Sequence, residues 1–301
     1  MFNSTTGNVV DRVTQRWVQF TGRSIDLRIY PWLAGPIGKP EGIGKQYFHE
    51  LAAEHGWELR QSCPNTGLLP AFSMLRGPSF NPESIDSRVI EFYEKTCNYD
   101  LDAWVEWCGL FRPFGSLLAL FFSRRLQQLN VPLNALDTSR GLTSEILQLA
   151  DRNTGEIRLT AWLRQLVGSG DVLYAGAYSI CSVPKYEGTC VKVVFPLPNG
   201  NAIVIMRPVL HPDGSFSVVS SGSGFGDAGF YFTVHSSRGI RARYLKSLRE
   251  SIHVYRAEND MVRADHVLTL WGLTFLRLHY RLQPKRAANE PVGPAAHLAA
   301  E

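Results

Sequence analysis

Phe275-Leu-Arg-Leu-His-Tyr-Arg-Leu282 alternates without a break. Leu276, Leu278, Tyr280 and Leu282 fall on one side, and Phe275, Arg277, His279 and Arg281 on the other. Strand side chains alternate with period two, so this segment offers an apolar face to a core and different chemistry to whatever lies opposite. If the opposite side is water, the arginines are ordinary surface. If it is the inside of a barrel, they line a binding site.

The segment ends a train of strand signals that starts near Leu142. Residues 143–149 and 156–163 flank Asp151-Arg-Asn-Thr-Gly155, a hairpin loop. Residues 172–183, 190–197, 202–208 and 216–221 follow, separated by Pro-Lys-Tyr-Glu-Gly, Pro-Asn-Gly and His-Pro-Asp-Gly turns. Strands at such short spacing, punctuated by Asn-Gly and Asp-Gly, predict an antiparallel sheet that is strongly curved or closed. Residues 230–235 add a strand. Tyr244, Leu248 and Ile252 then align as one helix inserted near 240–251, and strand resumes at 253–255 and 263–282.

The first half carries helical signals and long loops. Val9, Val10, Val13, Trp17 and Phe20 sit at helical spacing, ended by Thr21-Gly22. A second helix runs to His55-Gly56. Asn81-Pro82-Glu83 marks a third helix start, with Ile85, Val89, Phe92 and Tyr93 as its buried stripe. A fourth opens at Pro113 and stops before Pro132. The predicted class is α+β: a mainly helical portion (1–140) packed on a curved antiparallel sheet or partly closed barrel (141–282), followed by a disordered tail (283–301).

Composition narrows the function classes. The 301 residues are 45% hydrophobic and 19% charged, which is globular. Residues 157–282 hold 14 Lys and Arg against 8 Asp and Glu, a basic excess too thin for a nucleic-acid footprint. It suits a small anionic ligand or an anionic lipid. Five cysteines without a CxxC pair, and no signal peptide before them, point to reduced thiols in the cytoplasm. The apolar run at 109–122 (GLFRPFGSLLALFF) is too short to span a bilayer and contains Arg112. It reads as a core helix or a peripheral membrane contact.

Motifs exclude more than they assign. Gly224-Phe-Gly-Asp-Ala-Gly229 spells a dinucleotide fingerprint, but a β-rich segment follows where a helix must open. Its glycines suit a flexible turn or a small anion nest. His49 and His55 stand six residues apart on one helix, so they cannot share a metal as HExxH does. No cofactor motif is present, and no metal site is expected.

Two constellations remain, both on the sheet. The basic strand faces, Arg158 and Arg164 with Arg277 and Arg281, would charge a pocket walled by Trp162, Tyr174, Tyr178 and Phe275. Such a pocket predicts a protein that binds an apolar or amphipathic anion. Alternatively, His253, His266 and His279, with Asp265 or Glu145, would serve as the acid and base of an enzyme. His266 and His279 differ in parity, so they converge only if the chain bends at Gly272. A third alternative makes the arginine face or the 109–122 segment a docking surface for a protein or membrane.

Overall fold

The structure, a computed structural model, describes residues 9–38, 46–61, 64–109, 142–166 and 172–285. Fourteen strands join in one antiparallel, open sheet. In chain order these are β1 (Arg23–Ile25), β2 (Glu58–Gln61), β3 (Tyr99–Trp107), β4 (Leu142–Ala150), β5 (Ile157–Leu166), β6 (Val172–Val183) and β7 (Tyr186–Leu197). Then follow β8 (Gly200–Leu210), β9 (Phe216–Val219), β10 (Gly229–Ser236), β11 (Gly239–Leu245), β12 (Leu248–Arg256), β13 (Val262–Leu270) and β14 (Leu273–Pro284). The described residues hold three α-helices: α1 (Val9–Thr21), α2 (Tyr47–His55) and α3 (Ser87–Glu94).

The main path through the sheet is β2-β4-β5-β6-β7-β8-β9-β12-β13-β14-β3. It forks at β8. The free edge of β8 pairs with β10 along Gly200–Ile205 and with β9 along Arg207–Leu210. The branch β10-β11-β1 leaves there and carries α1.

From β4 to β8 the sheet is covered on both faces. Ile146, Trp162, Val193, Val204 and Met206 face a core shared with Phe72, Val89 and Phe92. The alternate residues Leu147, Leu149, Leu163, Ile203 and Ile205 face Phe48 and Leu51 of α2 and the Trp32–Leu33 turn. Two apolar faces explain why these strands read as nearly continuous hydrophobic runs.

The helix ends follow local chemistry. Gly56 closes α2 in the left-handed conformation, its amide donating to carbonyls of the last turn. Asn81 caps a short 3-10 turn at Pro82–Ser84, and Asp86, accepting from the Arg88 amide at 2.8 Å, caps α3 itself.

Three expectations are corrected. The inserted helix at 240–251 is absent: β11 and β12 occupy those residues, with β11 against β10 and β12 against β13. Tyr244, Leu248 and Ile252 recur every four residues, and four is both about one helical turn and two strand repeats, so the spacing satisfied either period. Second, the described residues before 141 do not only form helices: they also supply β1, β2 and β3 to the sheet. Third, β14 continues through Gln283 and Pro284, which pair with Asp100 and Tyr99. The expected helix from Pro113, most of the 109–122 segment and the tail from residue 286 lie outside the described residues. No helix among the described residues is long and apolar enough to cross a membrane.

Candidate functional site

One face of the sheet, together with α3, lines a cavity of about 190 Å3. Leu101, Ala103 and Val105 of β3 form one wall, and Leu276, Leu278, Tyr280 and Leu282 of β14 stand beside them. Val193 and Phe195 of β7, Val204 and Met206 of β8, and Ile252 and Val254 of β12 complete an apolar lining.

Into this lining β5 and β6 bring Arg164, Trp162, Tyr174 and Tyr178, four of the residues singled out from sequence. Arg164 is only 7% exposed. Its guanidinium carbon lies 3.5 Å from the Trp162 ring centroid, 4.8 Å from that of Tyr174 and 5.2 Å from that of Tyr280. Stacking satisfies the faces of the cation, and the Tyr280 hydroxyl accepts from the guanidinium, but its in-plane donors are not all met. The Nε of Arg164 is buried and has no hydrogen-bond partner. Tyr174 and Tyr178 share a hydrogen bond of 2.7 Å, and Trp162 Nε1 donates to Ser144 Oγ at 2.8 Å. Burial raises the Tyr174 and Tyr280 hydroxyls above their ordinary range and pushes Tyr178 up to about 12, so all three are neutral donors at physiological pH.

A second polar group lines the same cavity. Glu250 of β12 is 9% exposed, and its Oε2 lies 3.0 Å from His266 Nε2 on β13. Glu250 is thus paired with His266 rather than with Arg164. The cavity therefore joins an apolar enclosure to one stacked cation and one carboxylate–imidazole pair. Acceptor oxygens of a guest would find donors at Arg164 and the tyrosines, and an apolar chain would fit the remainder.

The other predicted residues lie elsewhere. Arg158 is exposed and pairs with Asp151 at 3.1 Å and Glu156 at 3.0 Å. Arg277 and Arg281 lie on the opposite face of β14 from Tyr280, pairing with Glu106 at 3.7 Å and Asp102 at 2.6 Å on β3. Phe275 packs near Trp107, outside the cavity lining.

His253, Asp265 and His279 form a cross-strand row on that same outer face, with Asp265 opposite both histidines in register. His279 Nδ1 lies 2.6 Å from Asp265 Oδ1. His253 Nε2 lies 2.8 Å from Ser215 Oγ, which donates to Asp213. Burial, with the neighbouring His211, holds His253 below the usual imidazole range. The chain reverses at Trp271-Gly272, so it does bend, yet His266 and His279 still face opposite ways. Glu145 bonds Gln61 at the β2–β4 edge.

Two site residues were not singled out from sequence, Tyr280 and Glu250. Glu250 had a signal: Leu248, Glu250, Ile252 and Val254 share a parity, and an acid interrupts an otherwise apolar face. The expected helix over 240–251 hid it.

In the glycine loop before β10, four amides have internal acceptors. Those of Gly226 and Asp227 donate to the Tyr231 hydroxyl at 3.0 and 3.1 Å, and those of Ser223 and Ala228 donate to the Asp227 carboxylate at 2.8 Å each. These four amides therefore serve acceptors within the loop and β10. Among the described residues, no group of three His, Cys, Asp or Glu is placed to hold a metal ion.

No family model matches the chain, and no solved structure matches it. A curated relative from Bacillus subtilis (strain 168), described as the uncharacterized membrane protein YndJ, is 27% identical over 253 residues. The match covers 83% of this chain but only 42% of that protein, so the chain spans less than half the length of the relative it resembles.

Proposed function

We propose that the chain binds a single-chain amphipath with an anionic head, such as a carboxylate or phosphate monoester. Its head would contact Arg164, Tyr174 and Tyr178, and its tail would lie against Val193, Val204, Met206 and Leu278. The carrying observation is the buried Arg164 Nε without a partner, inside an apolar cavity. A buried donor left unmade costs about 1–3 kcal/mol, more when charged, so a ligand that completes it is the economical explanation.

We further read the sheet as a partly closed barrel, because β3 and β4, near its two ends, approach within 8 Å between Cα atoms. Among the described residues Cys108, Cys181 and Cys190 form no disulfide, which fits a reducing, cytoplasmic setting. The relative's description as a membrane protein favours a ligand of lipid origin. Acid–base catalysis is the weaker alternative, since His253 and His279 face away from the cavity that His266 lines.

The test is titration with dodecanoate and with dodecanol, followed by displacement of a fluorescent fatty-acid probe. Dodecanoate should bind at least about tenfold more tightly than dodecanol, the difference of one charge-assisted hydrogen bond. Arg164→Met should erase that preference. Equal binding of the acid and the alcohol by the wild type would refute the assignment.

A further inference from the structure

Helix α1 is turned the unexpected way round. A helix on a soluble protein buries its apolar stripe and exposes its polar one. In α1, Val13 is 62% exposed, Trp17 38% and Phe20 85%, while the side facing the body holds Val18, fully buried, and Gln15. Gln15 Nε2 donates to the Pro198 carbonyl at 2.9 Å and Trp17 meets Phe232 of β10 edge-on at 6.4 Å, so Gln15, Val18 and one side of Trp17 seat the helix while Val13, Phe20 and the rest of Trp17 point outward. Positions 13, 17 and 20 fall within about 60° of the helix circumference, a continuous stripe.

Arginines border the stripe. Arg12 and Arg16 follow it along α1 itself. Arg243 lies with its guanidinium carbon 5.8 Å from the Trp17 ring centroid, and its Nη1 donates to the Thr21 carbonyl at 2.9 Å. Arg241 likewise donates to the Gly22 carbonyl at 3.0 Å. The neighbouring stretch from Ser236 to Lys246 holds Arg238, Arg241, Arg243 and Lys246 and no acidic residue.

We propose that α1 docks this face of the protein on an anionic lipid surface, lying in the plane of the interface. Val13, Trp17 and Phe20 enter the acyl boundary while the arginines meet the headgroups. The 13-residue helix is about 20 Å long and cannot span a hydrocarbon core of about 30 Å, so an in-plane position is the one available. A second copy of the chain fits less well. A two-fold contact would set one basic rim against the other, and like charges so placed oppose association. An anionic bilayer complements both the stripe and its rim. The proposal uses nothing from the cavity, so either can fail alone.

The experiment is co-sedimentation of the full chain with phosphatidylcholine vesicles, with and without phosphatidylglycerol, at low and high salt. Binding should require phosphatidylglycerol and weaken with salt. Val13→Ser/Phe20→Ser should weaken it roughly tenfold or more. Arg12→Gln and Arg16→Gln should each weaken it roughly fivefold and flatten its salt dependence. Val13, Arg16 and Phe20 are exposed, so circular dichroism and thermal melting of their variants should be unchanged. Brominated lipid should quench fluorescence that Trp17→Phe removes. Absence of binding to phosphatidylglycerol vesicles at low salt would overturn the proposal, as would wild-type binding by the Val13/Phe20 variant. A concentration-dependent dimer abolished by that variant, without vesicle binding, would assign the stripe to a second copy instead.

Discussion

Replacing Arg164 by methionine tests whether the guanidinium serves a guest or the fold. The side chain is 7% exposed and stacked on Trp162 at 3.5 Å, so its loss removes cation–ring attraction worth about 0.5–2 kcal/mol. Against this, a buried cation with an unpartnered donor has lost hydration worth several kcal/mol, which an apolar side chain of similar reach recovers. Glu250 keeps His266 as its neighbour at 3.0 Å, so the substitution strands no carboxylate. The expected result without ligand is a protein equally stable or more stable by up to about 2 kcal/mol. Urea unfolding followed by far-ultraviolet circular dichroism reads this as an unchanged or raised midpoint at constant slope. Dodecanoate should then stabilise the wild type and leave Arg164→Met unmoved. Loss of more than about 3 kcal/mol in the free variant would refute the reasoning, because it would make Arg164 a structural partner whose removal strands other groups.

Other outcomes follow from the packing and the titrating groups. Phe216 is fully buried against Phe72, Phe80 and Tyr93, at ring distances of 5.1, 5.7 and 5.4 Å, so Phe216→Ala should cost about 3–5 kcal/mol in urea unfolding. Burial raises the Asp227 carboxyl, but amides of Ser223 and Ala228, the Ser223 hydroxyl and nearby Arg207 outweigh it and leave the group below the usual carboxylate range. A depressed folded value gives stability that is fully present above the unfolded value, about 3.9, and lost as pH falls through the folded one. Asp227→Asn should therefore flatten the acid limb of the unfolding midpoint plotted against pH; an unaltered limb would remove Asp227 from the account. Burial pushes Cys181 up to about 11 and Cys190 up to about 12, so at pH 8 both should resist iodoacetamide until the protein unfolds, as peptide mass spectrometry would show.

The sequence made β4 to β8 legible because their turns carry Asn-Gly, Asp-Gly and Pro signals and their strands are too apolar for loops. Trp162, Arg164, Tyr174 and Tyr178 could be grouped because hairpin neighbours share a face. Arg277 and Arg281 could not be assigned a side by the same means. Alternation states that two faces differ, and which one is enclosed depends on strands far away in the chain. The partner that keeps those arginines outside is β3, where Asp102 and Glu106 alternate with Leu101, Ala103 and Val105. That complementary pattern was present in Tyr-Asp-Leu-Asp-Ala-Trp-Val-Glu-Trp, but it lay between two expected helices and was assigned to no strand.

The pairing of β3 with β14 also governs how the chain must be made. Leu101 meets Leu282 and Ala103 meets Tyr280, partners 181 and 177 residues apart in sequence. At about 5–20 residues per second, a ribosome that has finished β3 needs roughly ten to thirty seconds more before β14 exists. During that interval β3 is a strand with one apolar face and no partner, the kind of edge that recruits other chains. The hairpins from β4 to β8 close within a few residues and need no such wait. The wall formed by β3 is thus the last to be built, and newborn protein should depend most on chaperones at that step.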